Sequence, residues 1–200
     1  QWRHEIAGIV FAEYIKGDFS FSQTRNINRR NSFAYRIGIG VANPYGNSDI
    51  LPYERRYFSG GANSVRGWNT RRLGPGSYQP NDSTTFINQA GDIKLDLNIE
   101  YRYKATDLFE FAGFVDAGNI WTIKNYEGQQ GGLFKFNEFY KEIAVAYGLG
   151  LRLDLSFLLL RIDFGRKEYD PSKDEGKRFV MLKEKFFKGW AWHFGIGYPF

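Results

Sequence analysis

Apolar and polar residues alternate along most of this 200-residue chain. Over 32–42, Phe33, Tyr35, Ile37, Ile39 and Val41 take one face; Ser32, Ala34, Arg36, Gly38, Gly40 and Ala42 take the other. Over 93–104, Ile93, Leu95, Leu97, Ile99, Tyr101 and Tyr103 oppose Lys94, Asp96, Asn98, Glu100, Arg102 and Lys104. The pattern recurs over 143–154, and again over 190–200, where Trp190, Trp192, Phe194, Ile196, Tyr198 and Phe200 oppose Ala191, His193, Gly195, Gly197 and Pro199. Period two is the signature of strands with one apolar face. Two further segments alternate imperfectly: in 108–121 Phe114 falls among Glu110 and Asp116, and in 157–166 Leu159 falls beside Arg161 and Asp163. An early strand covers much of 11–24, and 1–10 reads either as a separate strand or as its start.

Length separates these strands from those of a soluble sandwich. Soluble strands run ~5–6 residues, whereas these reach the ~9–11 that a tilted membrane strand needs. The connections alternate as well: short near 25–31, long over 43–90, short at 105–107, long over 122–140, tight at 155–156, long over 170–187. Membrane barrels join strands by short periplasmic turns and long extracellular loops. The expectation is therefore an all-β chain, an antiparallel transmembrane β-barrel of about seven to eight strands here, with the long loops outside and Phe200 on the periplasmic side.

Composition agrees. Aromatic residues make up 18% and there are 23 glycines, with only 42% hydrophobic residues. A spanning helix needs ~20 apolar residues in a row, and the apolar runs are short, as at Phe157–Leu160. Interfacial rings are expected at Trp2, Trp121, Trp190, Trp192, Tyr103 and Tyr169. The chain starts at Gln1 without a basic n-region or apolar h-region, which reads as a mature or excised piece. The net charge of +5 raises nucleic acid as a partner, but the basic residues are scattered and sit close to acids (Lys94/Asp96, Glu100/Arg102, Arg152/Asp154, Arg161/Asp163), so no nucleic-acid partner is expected. With no cysteine, two histidines (His4 and His193) and no GxSxG, neither a catalytic residue, a metal site nor a cofactor is expected; His193 reads as filling the lumen.

The loop 43–90 departs from an ordinary exposed loop. It reads LPYERRYFSGGANSVRGWNTRRLGPGSY over Leu51–Tyr78. Gly60-Gly61 and Gly74-Pro75-Gly76 set sharp turns, and between them Val65, Arg66 and Trp68 form a knob that needs a dock. The polar strand faces supply one, with room beside Ala34, Gly38, Gly40, Ala144, Ala146, Gly148 and Gly150. Glu100 and Asp116 offer carboxylates, which a guanidinium grips with two parallel bonds.

The stretch FSGGANSVRGW resembles the (F/Y)xGGxxSVRG(F/W/Y) signature of the BamA/TamA superfamily of outer-membrane assembly factors, also called the bacterial surface antigen family. LGPG, NIEYR at 98–102 and FVDAGNIW at 114–121 resemble that family in its order, and the aromatic C-terminus is similar to the β-signal of outer-membrane proteins. The resemblance covers roughly 30–200. It implies a signature loop carried by Gly60, Gly61, Ser64, Val65, Gly67, Trp68, Gly74 and Gly76. It implies a lumen-facing Arg66 with Glu100 and Asp116 as acidic partners, and a terminal-strand signal at Gly195, Tyr198 and Phe200. RGW and the long GPGSYQPND tail resemble the lipid-anchored TamA-like proteins of Bacteroidetes. Family members carry periplasmic POTRA domains before a barrel of about sixteen strands, so 1–200 would be its C-terminal half, or else close as a small barrel by itself with an even count of about eight strands. The implied function is insertion or translocation of client outer-membrane proteins in the Gram-negative outer membrane. A seam at the C-terminal strand would pair with a client strand, among membrane lipids and accessory subunits. The alternatives are a two-partner-type secretion pore, a passive surface antigen or porin, and, least favoured, an outer-membrane hydrolase.

Overall fold

The computed structural model describes residues 5–6, 9–80, 88–180 and 189–200. Trp2 and His4 lie outside the described residues, as does much of the 1–10 segment. There, β1 (Glu5–Ile6) and β2 (Ile9–Val10) form a small antiparallel pair of their own. The remaining strands make one sheet: β3 (Glu13–Asn26), β4 (Asn31–Tyr45), β5 (Ile93–Lys104), β6 (Phe109–Trp121), β7 (Ala144–Asp154), β8 (Leu159–Tyr169) and β9 (Trp190–Ile196). Spatial order follows chain order and each neighbouring pair is antiparallel. Among the described residues no α-helix occurs, and no pairing joins β3 to β9. β3 to β8 are 11 to 15 residues long, the length expected of strands crossing a hydrocarbon layer at a tilt.

The register lines up whole rows across the sheet. On one face Phe33 pairs with Tyr101, Tyr101 with Gly113, Gly113 with Leu149, Leu149 with Phe164 and Phe164 with Trp192. Tyr101, Leu149, Phe164 and Trp192 on this row are exposed. The apolar face is thus turned outward, the inverse of a soluble sheet, as a lipid-facing surface requires.

The opposite face is concave and polar. Its central row runs Ala34, Glu100, Phe114, Gly148, Gly165, Ala191, each paired with the next. The row above runs Arg36, Asn98, Asp116, Ala146, and the row below runs Ser32, Arg102, Ala112, Gly150, Asp163, His193. Strands β4 and β5 are joined by a long segment that folds back over these rows and buries them. Its apolar content is small: Val65, Trp68 and Leu73 pack on Ala144 and Ala146, while Leu51 and Tyr57 pack on Ala42 and Ile120.

Two readings of the sequence need correction, and one ion pair is set by register alone. The last strand stops at Ile196, because Gly197 takes φ +77 and turns the chain. Tyr198 and Phe200 therefore leave the outward apolar row and lie against Arg102 on the inner face, 4.1 and 5.9 Å from its guanidinium. Trp121 is not an exposed interfacial ring. It is 1% exposed, because 134–142 folds over it with Phe134 and Phe139 edge-on, and its Nε1 donates to Glu142 at 2.7 Å. Arg152 does not pair with Asp154, its neighbour two residues on. The register brings Asp163 and Glu100 closer, at 2.6 and 3.0 Å.

Candidate functional site

Arg66 lies over the central inner row and is fully buried. Its Nε and Nη2 donate to the two oxygens of Asp116 at 2.7 and 2.9 Å, the forked geometry that suits guanidinium to carboxylate. Its Nη1 donates to Glu100 at 2.6 Å and stands 3.7 Å from Asp163. The backbone N–H of Arg66 also donates to Asp116, at 3.0 Å. The structure therefore brings Arg66, Glu100 and Asp116 together in one cluster.

Phe114, the aromatic that breaks the alternation of β6, lies beneath this cluster. Its ring centre is 3.5 Å from the Arg66 guanidinium. A cation over an aromatic face is attracted by the ring quadrupole, and more strongly away from water. The misplaced phenylalanine is the floor of the site. Alternation alone marks it as an anomaly without saying what rests on it.

The buried charges form a network close to balance. Arg102 donates to Glu100 at 2.8 Å, Arg152 bridges Glu100 and Asp163, and Arg161 lies 3.4 Å from Asp163. Removing an ion from water is costly unless its partners surround it; here each carboxylate faces at least one guanidinium. This arrangement fills the concave face with fixed charge.

The rest of the motif is held through its backbone by strands spread across the sheet. Arg36 of β4 donates to the Asn63 carbonyl at 2.7 Å. Asn98 of β5 donates to the Ser64 carbonyl at 2.8 Å and, with its other amide hydrogen, to Asp116 at 2.8 Å. The Ser64 hydroxyl donates to Asp96 at 2.8 Å. Arg161 of β8 donates to the Ala62 carbonyl at 3.1 Å and also reaches the Asn63 side chain. His193 of β9 lies 3.0 Å from the Arg66 carbonyl. Trp68 is 3% exposed, with the Lys167 ammonium 4.8 Å from its ring.

Close approach explains the small residues. A Cβ on Gly67 would come within 2.6 Å of the Ala146 methyl, and one on Gly165 would collide with the Arg66 carbonyl. Gly60, Gly61, Gly74 and Gly76 all have positive φ, between 52° and 104°, a region that L side chains resist. Gly195 accommodates Arg161, whose Nε would stand 2.5 Å from an added Cβ. The sequence placed His193 in the lumen and Asn98 in the NIEYR segment without giving either a partner, and pattern reading missed what Phe114 and Asp163 do. Of these last two only Phe114 carried a signal, its place on the wrong face.

Comparison with known proteins bears on the whole chain. A family model described as the Omp85 superfamily domain matches residues 6–200. Outer membrane protein assembly factor BamA of Neisseria meningitidis serogroup B (strain ATCC BAA-335 / MC58) is 29% identical over 103 residues, which is 48% of this chain and 13% of that protein. The crystal structure of BamA from Haemophilus ducreyi lacking POTRA domains 1-3 superposes with a TM-score of 0.62 at 18% identity, over 92% of this chain and 34% of that one. The chain thus spans a minor part of the length of either relative. At 18% identity the second likeness speaks to the fold.

Proposed function

The chain belongs to the Omp85 superfamily, and on that premise we propose that it is the C-terminal part of an outer-membrane β-barrel that inserts or translocates client outer-membrane proteins. The supporting observation is β9. It is short, it pairs on one side only among the described residues, and it ends at a left-handed Gly197. An unpaired strand edge offers a row of N–H and C=O groups that an incoming strand can adopt. Trp192, Phe194 and Ile196 stand exposed along that edge strand, so a strand added there is delivered straight to the lipid-facing surface.

In this reading the loop folded in around Arg66 is the fixed part of the machine. It ties β4, β5, β6, β8 and β9 together from the inside and holds their curvature while the seam moves. The long loops lie outside the cell and the short turns face the periplasm, where POTRA domains and accessory subunits deliver clients. A wide passive pore is disfavoured, because the concave face is filled by the loop and its ion network.

The test is photocrosslinking in cells making the full-length protein. A crosslinker at Phe194 is expected to capture newly made β-barrel clients through their terminal strands, and one at Ser20, on the inner face of β3, is not. Capture of an extended secreted partner from Ser20, with none from Phe194, would favour the secretion-pore alternative.

A further inference from the structure

At the end of the sheet that carries the short turns, the inner face opens into a cavity of about 420 Å³. Arg29, Arg30, Arg102, Lys104, Glu110 and Tyr198 are among the residues that line it. Four cations thus face one carboxylate. Lys104 is engaged with Asp107 at 3.0 Å, while Arg29 and Arg30 stand exposed at the mouth.

Two buried polar atoms here have no protein partner among the described residues: Arg102 Nη2 and Glu110 Oε1. Arg102 is 4% exposed; its Nε is taken by Glu100 at 2.8 Å and its plane lies over the Tyr198 ring. Glu110 spends its other oxygen on the Tyr198 hydroxyl at 3.4 Å. One donor of a buried guanidinium and one acceptor of a carboxylate thus stand unsatisfied in two groups that both contact Tyr198, one at its ring face and one at its hydroxyl. Unpaired buried groups of this kind are rare, and each calls for a partner.

We propose that this cavity binds an acidic peptide segment. With the covering side chains drawn back, a side-chain carboxylate of the segment accepts from Arg102 Nη2, and a main-chain N–H of the same segment donates to Glu110 Oε1. Tyr198 and Phe200 give the chain an aromatic surface to lie on, and Arg29 and Arg30 draw it in by long-range attraction. A lipid headgroup does not reach this point, because Arg102 and Glu110 lie on the face opposite the lipid-facing Tyr101, Phe109 and Phe111. The cavity is also much larger than a single oxyanion. The orientation proposed above places the cavity at the periplasmic mouth of the barrel; the chemistry of binding does not depend on that orientation.

The test uses the full-length protein in phosphatidylcholine nanodiscs, which leave both barrel ends open. A fluorescein-labelled peptide of alternating aspartate and serine is titrated by anisotropy against its asparagine–serine counterpart. Saturable binding is expected for the aspartate peptide alone, falling as salt rises. It should weaken about tenfold or more in Arg102→Gln, as for a lost charge-assisted bond, and more modestly in Arg29→Ala/Arg30→Ala, whose exposed positions leave folding intact. No saturable binding, equal binding of the asparagine peptide, indifference to both variants, or full displacement by millimolar inorganic phosphate each overturns the proposal. Sidedness is read separately: labelling of Arg29→Cys by an impermeant maleimide on intact cells would overturn the orientation and leave the binding result standing.

Discussion

His193 Nε2 lies 3.0 Å from the main-chain carbonyl of Arg66, joining positions 127 apart in sequence. The carbonyl can only accept, so the ring nitrogen carries the proton and donates. This bond ties the terminal strand to the buried motif. His193→Gln, with an amide N–H of similar reach, is expected to keep the tie, and His193→Phe to lose it while filling the space. In the full-length protein, hydrogen exchange along 190–196 should speed up in the phenylalanine variant and stay near wild type in the glutamine variant. Equal exchange in both would mean that the bond does not hold β9.

Arg66→Ala leaves Asp116 with Asn98 but without its cation, while Glu100 retains Arg102 and Arg152. Breaking a buried pair from one side typically costs roughly 3–5 kcal/mol. A loss in that range is expected in urea unfolding of the full-length barrel, together with protease cleavage within 57–78. Arg66→Lys should recover only part, since an ammonium does not fork across both Asp116 oxygens. Removing both charges, as Arg66→Met with Asp116→Leu, should cost less than the sum of the single changes.

The paired rows predict which positions meet lipid. Spin labels at Ile39, Leu149 and Phe194 should be relaxed by oxygen dissolved in the bilayer, and labels at Ser20 and Ser22, on the inner face of β3, by a water-soluble nickel complex. Gly150 is unsuitable for an inner-face label, because any Cβ there collides with Arg152 and Asp163. Equal oxygen accessibility on the two faces would remove the membrane orientation.

Glu142, in the connection before β7, has its pKa raised by burial, an effect that the hydrogen bonds from Trp121 and Ser77 only partly counter. An acid with a raised folded pKa holds its proton more tightly folded than unfolded. The folded loop therefore binds more protons, and its stability falls as pH rises from the unfolded value near 4.5 through the raised one. Glu142→Gln keeps an acceptor for Trp121 and removes the charge. Protease resistance of 122–143, followed from pH 4 to 7, should decline in the wild type and stay flat in the glutamine variant.

Lipid selects the outer face of a strand as strictly as a core would, so alternation alone located seven strands and most of their outward residues. The signature located the buried arginine and its acidic partners, because fork and carboxylate chemistry is written in residue types. What alternation did not carry was everything set by neighbours distant in sequence. Asp154 sits two residues from Arg152, yet register hands Arg152 to Asp163 and Glu100. Tyr198 keeps the outward parity, yet Gly197 turns it inward. Trp121 has the composition of an interfacial ring, yet a loop 13 to 21 residues further on covers it.

Gly165 offers the most local test of the docked loop. It stands on the inner face of β8 in the central row, between Gly148 and Ala191. A methyl there would collide with the Arg66 carbonyl and stand 3.1 Å from the Gly67 nitrogen. Both neighbours are backbone; the carbonyl is pinned by His193, and the residue that carries it is held again through its own N–H by Asp116. Neither can swing aside as a flexible side chain does. Overpacking of this kind commonly costs about 1–3 kcal/mol. Its φ lies outside the left-handed region, so Gly165→Ala introduces bulk without backbone strain. The variant is expected to fold, retain its strands by circular dichroism, and become protease-sensitive at 57–78. By contrast, Gly113→Ala on the outward face, where an added Cβ meets nothing within 4 Å, should be silent. If Gly165→Ala proves as resistant as Gly113→Ala, the motif does not rest on the sheet in the way described.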